Sequence, residues 1–429
     1  MQTLEVSSMD QGTRLDDLRP QLVCEVRDGQ LGTVGYLVID RTLGNASLGG
    51  IRLAPDMTVD EIAGLARAMT LKCSFLRTYI GGAKAGITVP ESVLASNRDK
   101  VLAAFGRGLA PILQCGIYYP GEDIGISTDD LNMIRQAAGL DAIDQPSDGA
   151  YYAAVSAAET IKQSLRSLKC EVAGATAAIE GFGRVGSNIA VILAAQGVKI
   201  VAVSTSEGAI INRSGLDVGQ MVALMKAHGD RFVSEYADAE RINLPDLVLL
   251  DVDVVVPCAR AWTITSQNAS QVRARTVIPG ANIAVTPEAE VILFKRGIIY
   301  VPDFLTNGGA VLAASMIAWG FRDEDIPAVI QREFAWKLAR LLEKARASGV
   351  LPSVMAREIA WRNFDHMQSE LSRQSSGLDG LLKKTFERGP RATLQRVAGV
   401  VYRRKWLQAG FVHDLALADL RQKLLADHQ

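Results

Sequence analysis

The feature that most constrains this chain is a glycine-rich turn that follows a short apolar segment. Residues 181–186 read GFGRVG, shortly after the apolar segment Thr176–Ile179 and at the start of a stretch with helical apolar spacing. In such a strand–turn–helix unit the glycines let the backbone approach a pyrophosphate, and the N-terminus of the helix attracts its charge. The pattern predicts a dinucleotide-binding βαβ unit, with a plain glycine-rich turn as the alternative.

Short apolar segments alternate with helical stretches between residues 175 and 302. This alternation is typical of an open parallel sheet with helices on both faces, as in a Rossmann-like domain. The predicted strands are Thr176–Ile179, Lys199–Ser204, Leu247–Leu250, Val254–Val256, Thr276–Ile278 and Ile298–Val301.

The chain before residue 146 predicts a second α/β domain, because strands and helices alternate there too. Asp56–Leu76 has the spacing of a helix, with Thr58 as its N-cap and Glu61 three residues later. Residues 81–86 predict a turn that leads into a short strand, and a strand is predicted over Cys115–Tyr119. The fold class is therefore α/β, with an N-terminal α/β domain before the Rossmann-like domain.

Composition excludes several classes of protein. The 46 Lys and Arg nearly balance the 47 Asp and Glu, which argues against binding to nucleic acid or to an anionic membrane surface. No apolar stretch is long enough to span a membrane. The five cysteines are scattered and the four histidines lie far apart, so neither a disulfide scaffold nor a metal site is expected. A cytoplasmic location is predicted because the N-terminus lacks the apolar run of a signal peptide.

Two lysines and one aspartate are candidates for acid–base chemistry. Lys72 ends an apolar helical stretch, Lys84 lies in the glycine-rich segment, and Asp123 is in the segment 121–125, which reads GEDIG. A lysine among small and apolar residues suits general-base work or binding of a carboxylate. The alternative is that all three are solvated surface residues.

The end of the second Rossmann strand bears on the choice of cofactor. It reads Ser204-Thr205-Ser206, without the carboxylate that usually binds the ribose 2′-hydroxyl of NAD, and Glu207 comes slightly late. Nothing on this strand would repel a 2′-phosphate. We therefore expect NADP to be accepted at least comparably with NAD.

Eight motifs occur in an order that resembles the glutamate/leucine/phenylalanine/valine dehydrogenase family, over roughly residues 20 to 365. The match is closer to the leucine and phenylalanine branch. The motifs are LGGIR at 48–52, MTLK at 69–72, GGAKAG at 81–86, GEDIG at 121–125, the GFGRVG turn, PCA at 257–259, GAN at 280–282 and PDFLTNGG at 302–309.

The resemblance implies an NAD- or NADP-dependent dehydrogenase that converts an L-amino acid reversibly into its 2-oxo acid and ammonia. It implies a substrate cleft between the two domains and assembly into a homo-oligomer, a dimer or larger. The implied segments are a substrate and oligomerisation domain over 1–148, a Rossmann-like domain over 149–318, helices returning to the first domain over 319–367, and a basic helical extension over 368–429.

The resemblance also implies roles for individual residues. Lys84 would activate water and polarise the carbonyl, while Asp123 would shuttle protons at the amino group. Lys72 would hold the substrate carboxylate, and the other implied substrate contacts are Leu48, Gly49, Gly50, Asn307, Val311 and Ala314. The implied cofactor contacts are Gly181, Phe182, Gly183, Arg184, Val185, Gly186, Ser204, Thr205, Cys258, Ala259 and Asn282.

Departures from the family pattern refine the prediction. In the family that this chain resembles, glutamate-specific members carry a lysine at the position of Leu48 and a serine at that of Ala314, both for the side-chain carboxylate of the substrate. Neither residue is present here, so the resemblance predicts an apolar substrate. Gly149 and Tyr152 replace a threonine and a glycine of relatives, so cofactor geometry is expected to differ. Two alternatives stay open: a specialised biosynthetic enzyme with a non-proteinogenic substrate, and a catalytically weak homologue that binds nucleotide.

Overall fold

The computed structural model describes residues 19–143 and 148–375. These residues divide into two compact units. Unit one comprises 19–74, 79–143 and 361–371, and unit two comprises 75–78, 148–360 and 372–375. The four-segment division drawn from the sequence stays a prediction, and its last segment lies outside the described residues beyond Ser375.

Unit one is built on a five-stranded sheet in the order β1-β2-β4-β3-β5. The β1–β2 and β2–β4 pairs are antiparallel, whereas β3 pairs in parallel with both β4 and β5. The strands are β1 Leu22–Asp28, β2 Gly32–Arg41, β3 Ser47–Leu53, β4 Gly81–Ile87 and β5 Tyr118–Glu122. The helices in the same part of the chain are α1 Val59–Leu76, α2 Glu91–Gln114 and α3 Thr128–Ala137.

The two faces of this sheet are covered by different helices. Ile51, Ala83 and Ala85 belong to a buried cluster that includes residues of α2 and α3. The other face approaches α1 closely, because a Cβ on Gly82 would lie 2.0 Å from the backbone nitrogen of Thr70. Strand residues alternate between faces, so Lys84 lies on the α1 side.

Three predicted local structures are wrong. Residues 81–86 form β4 rather than a turn, since Gly82 and Gly86 provide room for α1. The strand expected over Cys115–Tyr119 begins later, as β5. The strand expected over Leu247–Leu250 is replaced by a 3₁₀ helix over Leu244–Leu249, which has a proline in its first turn.

Unit two contains a seven-stranded sheet in the order β12-β11-β10-β6-β7-β8-β9. The pairs from β12 to β7 are parallel, and β8 and β9 add an antiparallel edge. The strands are β6 Thr176–Glu180, β7 Lys199–Thr205, β8 Gly208–Ile211, β9 Glu240–Ile242, β10 Val254–Pro257, β11 Thr276–Val277 and β12 Ile299–Tyr300. The predicted Rossmann-like sheet is confirmed.

The remaining α-helices follow the strands in βαβ fashion or close the described chain. They are α4 Gly149–Ser167, α5 Arg184–Ala194, α6 Val218–His228, α7 Phe232–Glu235, α8 Pro287–Lys295, α9 Asp303–Thr306, α10 Gly309–Ala318, α11 Ile326–Ser348 and α12 Pro352–Ser375. In the part of the chain that the structure describes, none of the helices has the length and apolar character needed to cross a membrane.

Candidate active site

Lys84 and Asp123 meet in unit one, together with Arg52. Lys84 Nζ lies 2.5 Å from Asp123 Oδ2, and Arg52 Nε donates a hydrogen bond to the same oxygen at 3.0 Å. The exposed fractions of the Lys84, Asp123 and Arg52 side chains are 5%, 14% and 11%. Three neighbouring parallel strands position them, because Arg52 is on β3, Lys84 is on β4 and Asp123 follows β5. The structure thus joins one carboxylate and two cations in a largely buried ion-pair centre.

The two cations set the ionisation of Asp123. Burial alone would raise the pKa of this carboxyl, but the charges of Lys84 and Arg52, with hydrogen bonds from Lys84 and from the backbone of Ile124, lower the pKa to about 2. Asp123 is therefore ionised at neutral pH. It becomes a proton acceptor there only when a cation moves away from it, so proton transfer depends on movement of its partners.

Two glycines pack β3 against its neighbours beside this centre. A Cβ on Gly50 would lie 2.9 Å from Asp123 Cβ, and a Cβ on Gly49 would lie 1.7 Å from the oxygen of Ala83. The buried hydroxyl of Tyr118 donates to the Gly49 oxygen at 2.8 Å, and burial together with the Asp123 charge raises the pKa of Tyr118 well above its usual value. Side chains are excluded at both glycines, which leaves their backbone next to the charged centre.

Leu48 lies on the same face of the sheet as Lys84. In the parallel β3–β4 ladder Leu48 pairs with Gly82, and residues two apart on a strand share a face, so Leu48, Gly50 and Lys84 all face α1. Lys72 is on α1 itself, near its C-terminal end, and is only 7% exposed. The structure thus places the six predicted residues of unit one on α1, β3 and β4 and just after β5.

The glycine-rich turn of unit two joins β6 to α5. Gly181 has a φ of +97°, which favours glycine, and a Cβ on Gly186 would lie 2.0 Å from the Gly181 oxygen. A Cβ on Gly183 would meet no atom of the described residues within 4 Å. The second glycine therefore leaves open space at the N-terminus of α5, and this turn fits the pyrophosphate of a dinucleotide.

Side chains at the end of β7 hold this turn in shape. Ser204 Oγ accepts a hydrogen bond from the Gly181 N–H at 3.0 Å, and the Phe182 N–H donates to the Ser204 backbone oxygen at 2.7 Å. Phe182 is buried against Phe232, with 5.2 Å between ring centroids. Ser204 and Thr205 are also buried. The side chains of Phe182 and Ser204 thus support the turn from within the fold.

Cys258 and Ala259 follow β10 and contact Glu180, the last residue of β6. The Cys258 N–H donates to the Glu180 backbone oxygen at 2.6 Å, while the Ala259 N–H and the Thr263 hydroxyl donate to Glu180 Oε2 at 3.3 Å each. Burial raises the pKa of Glu180, and burial with the Glu180 charge raises that of Cys258. The thiol therefore stays protonated and is suited to lining a site, not to nucleophilic attack.

Asn307 is joined to the loop at 280–282. Its Nδ2 donates to Asn282 Oδ1 at 2.8 Å and to the Gly280 oxygen at 3.2 Å. A Cβ on Gly280 would lie 2.6 Å from Cys258 Sγ and 3.1 Å from Val185 Cγ1. Asn282, Asn307, Cys258 and Val185 consequently form one cluster beside the glycine-rich turn.

The other predicted residues of unit two lie on α10 and at the first position of α5. Val311 is buried and Ala314 half-buried on α10. Arg184 is exposed and makes a 3.4 Å ion pair with Asp148.

The two positions that depart from the family pattern lie at the start of α4. A Cβ on Gly149 would have Ala310 Cβ at 3.8 Å, so a larger residue fits there. Tyr152 is 6% exposed, and its backbone oxygen would lie 2.0 Å from a Cβ on Gly309. Ser156 Oγ accepts from the Gly309 N–H at 2.9 Å, so α4 fixes the loop that carries Asn307.

Sequence reasoning assigned no role to Arg52, Tyr118 or Glu180. For Arg52 a signal was present, because it lies two residues after Gly50 on the same strand and hence on the same face. In the described residues, no group of His, Cys, Asp and Glu is arranged to hold a metal ion.

Two parts of the chain match models of one protein family. Residues 147–322 match the family described as glutamate/leucine/phenylalanine/valine dehydrogenase, and residues 21–139 match its dimerisation domain. Glutamate dehydrogenase from Thermotoga maritima is 33% identical over 66% of this chain and 72% of its own length. An NADP-specific glutamate dehydrogenase from Synechocystis is 32% identical over 73% of this chain and 79% of its own.

Solved structures show the same fold. A hetero-hexameric glutamate dehydrogenase from Thermus thermophilus, in its Leu-bound form, matches with a TM-score of 0.69 at 24% identity, covering 81% of this chain and 89% of that one. L-tryptophan dehydrogenase from Nostoc punctiforme matches with a TM-score of 0.61 at 21% identity, covering 82% and 98%.

The fold and the site therefore define an oxidoreductase that acts on CH–NH₂ groups with NAD or NADP. The chain belongs to the glutamate/leucine/phenylalanine/valine dehydrogenase family. The resemblance seen in the sequence is confirmed at this level, whereas the narrower leucine and phenylalanine branch stays a prediction.

Proposed function

We propose that this amino-acid dehydrogenase acts on an apolar L-amino acid, which it deaminates oxidatively and reversibly to the 2-oxo acid and ammonia. The observation that carries this proposal is Leu48, half-buried on the face that holds Gly50 and Lys84. The side-chain carboxylate of glutamate would gain no charged partner from Leu48, nor from Ala314 on α10, and an unpaired buried charge costs several kcal/mol.

The residues of unit one carry the acid–base work in this proposal. Lys84 polarises the substrate carbonyl and activates water, and Asp123 exchanges protons with the amino group once a cation leaves its carboxylate. Lys72 binds the substrate carboxylate as a buried cation. Arg52 keeps Asp123 in place when Lys84 turns to the substrate, because it contacts Asp123 Oδ2 independently.

The residues of unit two bind the dinucleotide and exclude water. The bound cofactor supplies a hydride acceptor for the substrate Cα. Gly181, Gly183 and Gly186 shape the pyrophosphate turn, while Cys258, Ala259 and Asn282 line the nicotinamide side. Gly149 stands where relatives have a threonine, so this chain offers the nicotinamide ring one hydrogen-bonding group fewer.

The competing function is glutamate dehydrogenase, because the relatives found by sequence carry that name. The same fold also occurs in a tryptophan dehydrogenase, so the fold accommodates a large apolar side chain as well. Each buried methylene contributes about 0.8 kcal/mol. An apolar pocket discriminates poorly between substrates that differ by one methylene, so several apolar substrates are expected.

The test is reductive amination with ammonia and NADH or NADPH, comparing kcat/KM for 2-oxoglutarate, 4-methyl-2-oxopentanoate and phenylpyruvate. We expect an apolar 2-oxo acid to exceed 2-oxoglutarate by about a hundredfold or more, as several kcal/mol imply. A preference for 2-oxoglutarate would contradict the proposal. The variant Leu48→Lys, paired with Leu48→Met as a control of similar volume, should move the ratio towards 2-oxoglutarate.

We also propose that the chain works as a homo-oligomer. The part matching the dimerisation domain includes β1, an edge strand on which Leu22 and Val23 are 39% and 50% exposed. A sheet edge with exposed apolar side chains is a common surface for pairing between copies. Light scattering of the purified chain should give a mass at least twice 46.1 kDa.

A further inference from the structure

The end of β7 carries no carboxylate of its own, but the fold brings one to it from a distant part of the chain. Asp230 lies in the 3₁₀ turn Gly229–Arg231. Ser206 Oγ donates to Asp230 Oδ2 at 2.6 Å, and Thr205 Oγ1 donates to the Asp230 backbone oxygen at 2.7 Å. These two hydrogen bonds fix both the backbone and the carboxylate of Asp230 at the end of β7.

The same segment is tied to the glycine-rich turn. Phe232, two residues after Asp230, packs its ring on Phe182 of that turn, and both rings are buried. The Phe182 N–H also donates to Ser204 on β7 at 2.7 Å. The turn, the end of β7 and Asp230 therefore form one packed assembly within unit two.

We propose that Asp230 takes the place of the missing strand-end carboxylate: it accepts a hydrogen bond from the ribose 2′-hydroxyl of the adenosine half and makes the enzyme prefer NAD to NADP. In Rossmann folds a carboxylate at this strand end binds that hydroxyl. The Asp230 residue is exposed, so it is accessible to a ligand while Ser206 holds one of its oxygens. A 2′-phosphate in the same place would meet a fixed negative charge.

The neighbouring charges make Asp230 the deciding group. Glu207 is exposed and follows Ser206 in the turn between β7 and β8, where its backbone N–H donates to the Thr205 hydroxyl at 3.2 Å, whereas the Asp230 carboxylate is held by Ser206. Arg241 reaches the Gly208 turn and is hydrogen-bonded to the Ser234 hydroxyl. With Asp230 neutralised, a 2′-phosphate could use Arg241 or the exposed Arg231, which is next to Asp230 in the same 3₁₀ turn. A preference for NAD reverses the expectation, drawn from the strand alone, that NADP is accepted at least comparably with NAD.

This inference rests on the proposed dinucleotide site, and its test separates the two. NADH and NADPH are titrated against the full chain by nucleotide fluorescence, without substrate, for the unaltered chain and for Asp230→Asn and Glu207→Gln. A hydrogen bond to a charged group contributes roughly 1.5–3 kcal/mol, or about a tenfold change in affinity or more. We expect the unaltered chain to bind NADH at least tenfold tighter than NADPH.

Asp230→Asn should weaken NADH binding by about tenfold and remove most of the preference, whereas Glu207→Gln should leave the ratio of the two affinities within about twofold. Ser206→Ala, which frees the Asp230 carboxylate, should lower the preference by an intermediate amount. An unchanged ratio in Asp230→Asn, or an effect carried by Glu207→Gln instead, would overturn the assignment. If the unaltered chain binds neither nucleotide, the dinucleotide site itself is wrong. Asp230→Ser replaces the asparagine variant if that variant fails to fold.

Discussion

At the scale of single residues, Asp123 is the carboxylate of unit one that two largely buried cations contact. Its carboxylate accepts from Lys84 and Arg52 on one oxygen, and these partners depress its pKa to about 2 against the upward effect of burial. The sequence predicted the Lys84–Asp123 association through the family resemblance. It did not predict Arg52: the spacing from Gly50 indicates the face on which Arg52 lies, but its carboxylate partner follows from the register of β3 and β5.

The depressed pKa of Asp123 predicts a pH dependence of stability. A carboxyl with a pKa lowered from about 4 to about 2 stabilises the fold by about 2 kcal/mol above pH 4, and this contribution is lost as the pH falls from about 4 to about 2. Urea denaturation across that range measures it. Asp123→Asn should lack this component of the pH dependence, whereas Asp129→Asn, at an exposed aspartate, should retain it. Equal slopes in both variants would contradict the assigned charge environment.

At the scale of elements, glycines decide where helices can approach strands. Residues 81–86 were predicted as a turn on composition, yet they form β4, because glycine in a strand marks a close approach of another backbone as readily as a bend. The turn at 181–186 was predicted correctly, because the sequence indicates a strand before it and an amphipathic helix after it, and a turn must connect the two. Composition alone could not separate the two cases; the flanking elements could.

The two glycines at 183 and 186 should respond differently to the same substitution. Gly186→Ala would place a methyl group 2.0 Å from the Gly181 oxygen, so we expect a fall in thermal stability corresponding to roughly 1–3 kcal/mol. Gly183→Ala has open space, so its melting temperature should stay close to that of the unaltered chain. Its affinity for NADH should fall by about tenfold or more, because the methyl group occupies the approach of the pyrophosphate. Calorimetry and fluorescence titration measure the two effects, and unchanged affinity in Gly183→Ala would contradict the assigned role of the turn.

At the scale of the whole molecule, the order of the eight motifs predicted the family, and the alternation of strands and helices predicted the α/β character of both units. What the sequence could not predict are contacts between residues distant along the chain, such as Asp230 with Ser206 or Glu180 with Thr263, which depend on how loops return to a sheet. The proposed substrate choice depends on single positions such as Leu48, whereas the motifs report the chemistry common to the family.

In the proposed function Lys84 acts on the substrate during the chemical step, so turnover tests the central claim most directly. The measurement is kcat for reductive amination of the best 2-oxo acid by Lys84→Met, with Lys100→Met, at an exposed lysine of α2, as the matched control. Loss of a general base or of a partner for developing charge costs about 3–5 kcal/mol. We therefore predict that Lys84→Met loses at least a hundredfold in kcat while NADH binding persists, and that Lys100→Met keeps full activity. Near-full turnover in Lys84→Met would contradict the account.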